Sequence, residues 1–120
     1  MINKVIIYTD GACSGNPGYG GWGAYLIHEN NKKKISGYEI NTTNNRMELR
    51  AAIEGLNALK RPCKVMLYTD SVYLKDGITK WIINWEKNNW KNANNKEVKN
   101  KDLWIKLLKA GSMHQIEWKW

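Results

Sequence analysis

Hydrophobic and polar positions divide this chain into short segments of changing period. Val5-Ile6-Ile7-Tyr8 is an unbroken apolar run rich in β-branched residues. Such a run predicts a strand buried on both faces. Trp22 to His28 and Ile35 to Ile40 read as two further strands, with Glu29 to Lys34 as the polar turn between them. Connections this short predict an antiparallel meander of the three. The glycine-rich stretch Gly11 to Gly23 is followed by a strand and lacks Gly-Lys-Ser/Thr, so it is not a phosphate-cradling P-loop. Glycine there permits a tight connection and a close backbone approach.

The period then changes. Leu49, Ala52, Ile53, Leu56 and Leu59 form one stripe at helical spacing, predicting a helix over Asn44 to Lys60 that stops at Arg61-Pro62. Val65 to Thr69 is a second buried run. Strand, helix, strand implies a crossover, so this strand is expected to lie parallel to the first. Ser71 to about Asn88 reads as helix with a break near Gly77 to Lys80, Asn89 to Lys99 as a polar loop, and Lys101 to Lys109 as a helix. Gln115 to Trp120 sets Ile116, Trp118 and Trp120 against Glu117 and Lys119, which is strand alternation. The expectation is an α/β fold with a five-stranded mixed sheet, its first three strands antiparallel and the rest parallel, flanked by helices. Residues 1–120 show no linker or low-complexity tract and read as one domain.

Composition narrows the classes. A hydrophobic content of 42% excludes a disordered chain. The net charge of +8 points to polyanionic partners. Cys13 and Cys63 form neither a zinc pattern nor a disulfide framework, which fits a reducing cytoplasm. Met1 to Tyr8 is too short for a signal peptide, and no apolar run is long enough to span a membrane.

One echo carries chemistry. Val5-Ile6-Ile7-Tyr8-Thr9-Asp10 parallels Val65-Met66-Leu67-Tyr68-Thr69-Asp70. On adjacent parallel strands, about 4.8 Å apart, Asp10 and Asp70 would meet at one end of the sheet. Carboxylates that close repel unless one takes a proton or a cation joins them. Strand carboxyl ends are also where open α/β sheets place their sites. Glu48, at the start of the long helix and the edge of its apolar stripe, can join them. Three carboxylates without His or Cys make an all-oxygen site suited to Mg²⁺ or Mn²⁺. Read singly, Asp10 and Asp70 could begin turns, and Glu48 could close a capping box on Asn45 as N-cap.

Several motifs in order carry a resemblance: Tyr8-Thr9-Asp10-Gly11, Asn16-Pro17-Gly18, Gly20-Gly21-Trp22-Gly23, Thr43-Asn44-Asn45-Arg46-Met47-Glu48-Leu49, Thr69-Asp70-Ser71 and Asp102-Leu103-Trp104. With Trp81, Trp85, Trp90, Lys99 and Asn100, they make the whole chain resemble bacterial type 1 ribonuclease H. The resemblance implies endonucleolytic hydrolysis of the RNA strand of an RNA–DNA hybrid, leaving 5′-phosphate and 3′-hydroxyl ends. It implies Asp10, Glu48 and Asp70 as ligands to two Mg²⁺ ions, with Mn²⁺ as substitute, about 3.5–4 Å apart. Gly11, Cys13, Asn16, Asn44 and Asn45 match positions along the hybrid's minor groove, where 2′-hydroxyls are displayed. Thr43 and Asn100 match a pocket for a DNA-strand phosphate. Lys80 to Lys109 sets eight lysines against three acidic residues, interleaved with Trp81, Trp85, Trp90 and Trp104. It is similar to the family's basic protrusion, with Trp85, Lys87, Lys91 and Lys99 as DNA-strand contacts and Trp81 and Trp104 as core. Lys32-Lys33-Lys34 reads as a solvated turn, and His28 and His114 receive no role.

The sequence departs from the family pattern in places. Val72 stands where a polar groove residue is common, and Asn41 where an arginine is common. The family pattern continues past the last strand with a His-bearing loop, a fourth aspartate ligand and a final helix, whereas the sequence ends at Trp120. From the resemblance, the expectations are a missing C-terminal helix, an uncovered apolar sheet face that favours a homodimer, and reduced activity that Mn²⁺ rescues better than Mg²⁺. A hybrid-binding domain with weak or no cleavage is the alternative.

Overall fold

A computed structural model describes residues 3–120; Met1 and Ile2, at the head of the expected N-terminal segment, lie outside the described residues. The elements are β1 (Asn3–Gly15), β2 (Gly18–His28), β3 (Asn31–Thr42), α1 (Asn44–Asn57), β4 (Cys63–Tyr68), α2 (Val72–Asp76), a π-helical turn (Gly77–Trp81), α3 (Ile82–Lys87), α4 (Lys101–Gly111) and β5 (Gln115–Lys119). They form a five-stranded sheet in the order β3-β2-β1-β4-β5. β1–β2 and β2–β3 pair antiparallel, while β1–β4 and β4–β5 pair parallel. The expected α/β architecture is therefore the observed one.

Several boundaries differ from those the sequence predicts, three of them for clear physical reasons. The glycine-rich stretch is a hairpin, because β1 runs to Gly15 and β2 begins at Gly18. Lys32, Lys33 and Lys34 belong to β3, where they put charge along an exposed edge strand. α1 stops at Asn57, three residues early, yet Leu59 still packs on the core from outside the helix.

Alternation assigns the two sheet faces. Val5, Ile7, Val65 and Leu67 turn toward α1 and α4, where Leu49, Ile53, Leu56, Leu103 and Leu107 close one buried core. The predicted helix break is the π-helical turn. Gly77 lies against the fully buried Trp104 indole, which leaves no room there for a side chain. The opposite sheet face carries Ile6, Ile27 and Met66 in an open groove rimmed by Lys4, Lys64, Glu29 and Glu117. Beside it Tyr8 and Tyr68 stack at 4.9 Å. Among the described residues no helix is long and apolar enough to cross a membrane.

Candidate active site

The sequence echo is a physical pairing. Val5 faces Val65, Ile7 faces Leu67 and Tyr8 faces Tyr68 in parallel register. The ladder ends there, and the two threonines manage the parting strands. Thr9 Oγ1 donates to the Tyr68 carbonyl at 3.3 Å, and Thr69 Oγ1 accepts from the Ser71 amide at 3.1 Å. Ser71 then caps α2 by accepting from the Leu74 amide at 3.1 Å. Asp10 and Asp70 emerge together where the strands diverge.

Glu48 arrives from α1, and not through the capping box that local spacing suggests. The N-cap is Thr43, extended at φ −128° and ψ 163°, its hydroxyl accepting from the Arg46 amide at 3.3 Å. Asn45 is therefore inside the helix, Arg46 occupies the third helical position, and Glu48 lies beyond the first turn. Capping is excluded as the reason for Glu48. A tight contact delivers it instead: a Cβ on Gly11 would lie 2.5 Å from the Met47 carbonyl carbon and 2.6 Å from the Glu48 amide nitrogen. The bare Gly11 backbone lets α1 approach β1 at the point where Glu48 meets Asp10.

One oxygen from each of Asp10, Glu48 and Asp70 lies within 4.8 Å of the others. Two unit charges at that spacing repel by roughly 3 kcal/mol at an effective dielectric of 20. Glu48 is only 5% exposed, and among the described residues its Oε1 has no hydrogen-bond partner. Burial, then the charges of Asp10 and Asp70, push its carboxyl up to about 7; the Gly11 amide and the Ser71 hydroxyl pull the other way without cancelling this. An orphaned, buried carboxylate oxygen beside two more carboxylates, with no nitrogen or sulfur donor, fits a hard divalent cation. Asp10 and Asp70 are exposed, so the cluster opens to solvent on the side where a substrate could enter.

Several other predicted residues have structural partners. Asn16 Oδ1 accepts from the Asn44 amide at 3.2 Å, a second cap on the orphan amides of α1. Cys13 Sγ donates to the Thr42 carbonyl at 3.3 Å. Trp85 sits half-buried among Trp81, Trp90 and Trp104. Lys87, Lys91 and Lys99 are exposed, and none makes an ion pair among the described residues. Asn44 is exposed and Asn45 half-buried; Asn100 Oδ1 accepts from Arg46 at 3.2 Å. Val72 and Asn41 are both exposed.

Sequence reasoning misses Ser71, whose hydroxyl eases the charge on Glu48, and the Arg46–Asp102 pair, a two-pronged contact at 3.0 and 2.8 Å. The small residue after each Tyr-Thr-Asp is a signal for the first. Nothing in local spacing joins Arg46 to Asp102, which meet only through the tertiary fold. His114, which the sequence leaves without a role, accepts the Cys63 amide on Nδ1 at 3.0 Å.

Fold and site together define an α/β protein with a cluster of three carboxylates, a donor set that fits a divalent cation, at the ends of two parallel strands. A sequence model described as RNase H matches residues 2–120. Ribonuclease H of Rickettsia canadensis (strain McKiel) is 61% identical over 119 residues, covering 99% of this chain and 77% of its own length. Ribonuclease H of Caldanaerobacter subterraneus subsp. tengcongensis is 61% identical over 118 residues, 97% of this chain and 77% of its own. The crystal structure of LC9-RNase H1, described as a type 1 RNase H with the type 2 active-site motif, superposes with a TM-score of 0.89 at 31% identity. It covers 100% of this chain, which spans 63% of that one. LC11-RNase H1, solved in complex with RNA/DNA hybrid, shares the fold at a TM-score of 0.68 and 24% identity over 95% of this chain and 83% of its own. The chain belongs to the RNase H family, a family of hydrolases dependent on divalent metal.

Proposed function

We propose that the chain is an endoribonuclease that hydrolyses the RNA strand of RNA–DNA hybrids, leaving 5′-phosphate and 3′-hydroxyl ends. The single observation that carries this reading is the convergence of Asp10, Glu48 and Asp70, with the Glu48 Oε1 buried and unpartnered. Asp10, Glu48 and Asp70 would hold two divalent cations, Mg²⁺ or Mn²⁺ in its place. When bound, such a pair supplies the charge that activates a water and stabilises the leaving 3′ oxygen.

The protein's own part is positioning. Gly11 sets the approach of Glu48 to Asp10, and the Thr9, Thr69 and Ser71 hydroxyls hold the strand ends that carry the aspartates. Gly11, Cys13, Asn16, Asn44 and Asn45 would face the hybrid's minor groove, where the RNA strand shows its 2′-hydroxyls. Thr43 and Asn100 take a DNA-strand phosphate. Trp85, Lys87, Lys91 and Lys99 give charge and a stacking surface to the DNA strand without sequence preference.

A hybrid-binding domain without turnover is the second reading, and the exposed, unpaired Lys87, Lys91 and Lys99 are what favours it. A labelled-hybrid assay with Mg²⁺ and with Mn²⁺ separates the two, using Asp10→Asn as control. Metal-dependent cutting of the RNA strand alone, reduced by roughly 10²–10³-fold or more in Asp10→Asn, is expected; losses of that order accompany removal of one transition-state-stabilising group. Tight binding with no cutting in either metal would establish the second reading.

A further inference from the structure

Asn100 opens α4 in the left-handed region, at φ 62°, and its side chain caps nothing. Two neighbours hold that side chain, and each has a fixed hydrogen-bonding sense. Arg46 Nη1 lies 3.2 Å from Asn100 Oδ1, and a guanidinium only donates. The amide oxygen must therefore face Arg46 and the Nδ2 must face Tyr73, whose hydroxyl oxygen lies 3.0 Å away. Trp104 Nε1 lies 3.0 Å from the same oxygen, and an indole also only donates. Tyr73 accepts twice, so its own proton is left to point elsewhere. Every bond from Arg46 through Asn100 and Tyr73 to Trp104 has one possible direction.

Both ends of this relay are anchored. Arg46 grips both Asp102 oxygens, which neutralises its charge locally and leaves no free carboxylate oxygen beside Asn100. Trp104 is fully buried against Gly77, and the Tyr73 ring packs on Trp81 and Trp104 at 5.6 and 5.4 Å. Among the described residues, what remains uncommitted is the second Nδ2 hydrogen of Asn100 and the Tyr73 hydroxyl proton. Both are donors, and a phosphate oxygen needs donors.

We propose that Tyr73 is a positioning residue that fixes the orientation of the Asn100 amide, so that its second Nδ2 hydrogen serves as a hydrogen-bond donor to a DNA-strand phosphate. The inference rests on the hybrid-cleaving reading above. Removal of the Tyr73 hydroxyl leaves the amide tethered only through its oxygen and deprives the Trp104 indole of its acceptor.

The test uses hybrids in which single DNA-strand phosphates are replaced, one position at a time, by uncharged methylphosphonate. With the unmodified protein, one position is expected to raise KM about three- to tenfold, the worth of one hydrogen bond, with kcat unchanged. Tyr73→Phe is expected to raise KM by a similar factor on the normal hybrid and to show no further rise at that position, a non-additive cycle. A merely structural role would lower stability and leave the methylphosphonate effect at its full size, and that result overturns the proposal. If Tyr73→Phe does not fold, Arg46→Lys frees the other end of the amide, and the same loss of sensitivity is expected from it. An unmodified protein that cuts hybrids but is indifferent to methylphosphonate at every position overturns the phosphate pocket and the positioning with it. One that cuts no hybrid overturns the functional reading itself.

Discussion

Arg46 and Glu48 leave α1 two positions apart and enter surroundings of opposite character. Arg46 finds Asp102 on both prongs and Asn100 beside it, and its guanidinium holds the Asp102 carboxyl down at about 2. Glu48 finds burial, two like charges and an unpartnered oxygen, and its carboxyl is held up at about 7. The first cluster satisfies itself and needs nothing from outside. The second is left short of positive charge by the same fold that saturates its neighbour. An ionic cluster left unpaired beside one paired this fully has the charge deficit that a bound cation would fill. The self-sufficient cluster holds shape, and the deficient one is where chemistry can happen.

This contrast can be broken from either side. The largest effect is expected from Gly11→Ala, which sets a methyl 2.5 Å from the α1 backbone and pushes Glu48 off Asp10. Displacements of about 1 Å at a catalytic site cost on the order of 10²-fold in rate, so hybrid cleavage should fall by about that much. The accompanying loss of stability should stay near 1–3 kcal/mol, the usual overpacking cost. Cleavage kinetics read beside denaturant melts check both.

Glu48→Gln should stabilise the metal-free protein, and the pH dependence carries the sign. A carboxyl near 4.5 in the unfolded chain and about 7 when folded binds its proton more tightly in the native state. Its favourable contribution is full below about pH 4.5, declines between 4.5 and 7, and is gone above 7. The gain from Glu48→Gln should therefore approach about 3 kcal/mol at pH 8 and vanish near pH 4, which paired denaturant melts at the two pH values would detect. A pH-independent gain would mean that the ionisation of the buried Glu48 carboxyl is not the cause.

Arg46→Ala probes the satisfied cluster and should cost less, about 1 kcal/mol, because Asp102 is 57% exposed and water screens the pair. The Asp102 contribution should be present above about pH 4 and fade as pH falls through about 2. Thermal melts across that window test it.

Much of this arrangement is legible in the amino-acid sequence. The echo of Val5 to Asp10 in Val65 to Asp70 anticipates the parallel register because both runs bury both faces and end on the same hydroxyl–carboxylate pair. The Gly77 break is readable because glycine interrupts a helical stripe. What is not legible depends on partners far apart in the chain. Asn45 passes for the N-cap because Ser, Thr, Asn and Asp compete closely for that position and Thr42-Thr43-Asn44-Asn45 offers four candidates. The glycine stretch reads as a loop because pairing, not propensity, extends β1 and β2 through it. Arg46, Tyr73, Asn100 and Asp102 come together from separate elements, and no spacing rule connects them.

The central claim is that the carboxylate cluster is built for a divalent cation, and thermal unfolding against Mg²⁺ concentration at pH 8 tests it most directly. Binding to the native state alone raises stability logarithmically once the ion exceeds its dissociation constant. The unmodified protein should show a melting temperature that climbs with Mg²⁺, starting from a value below that of metal-free Asp10→Asn, while Asp10→Asn itself stays nearly flat. Parallel climbs in the two proteins would contradict the claim, because the ion would then be acting somewhere other than Asp10, Glu48 and Asp70.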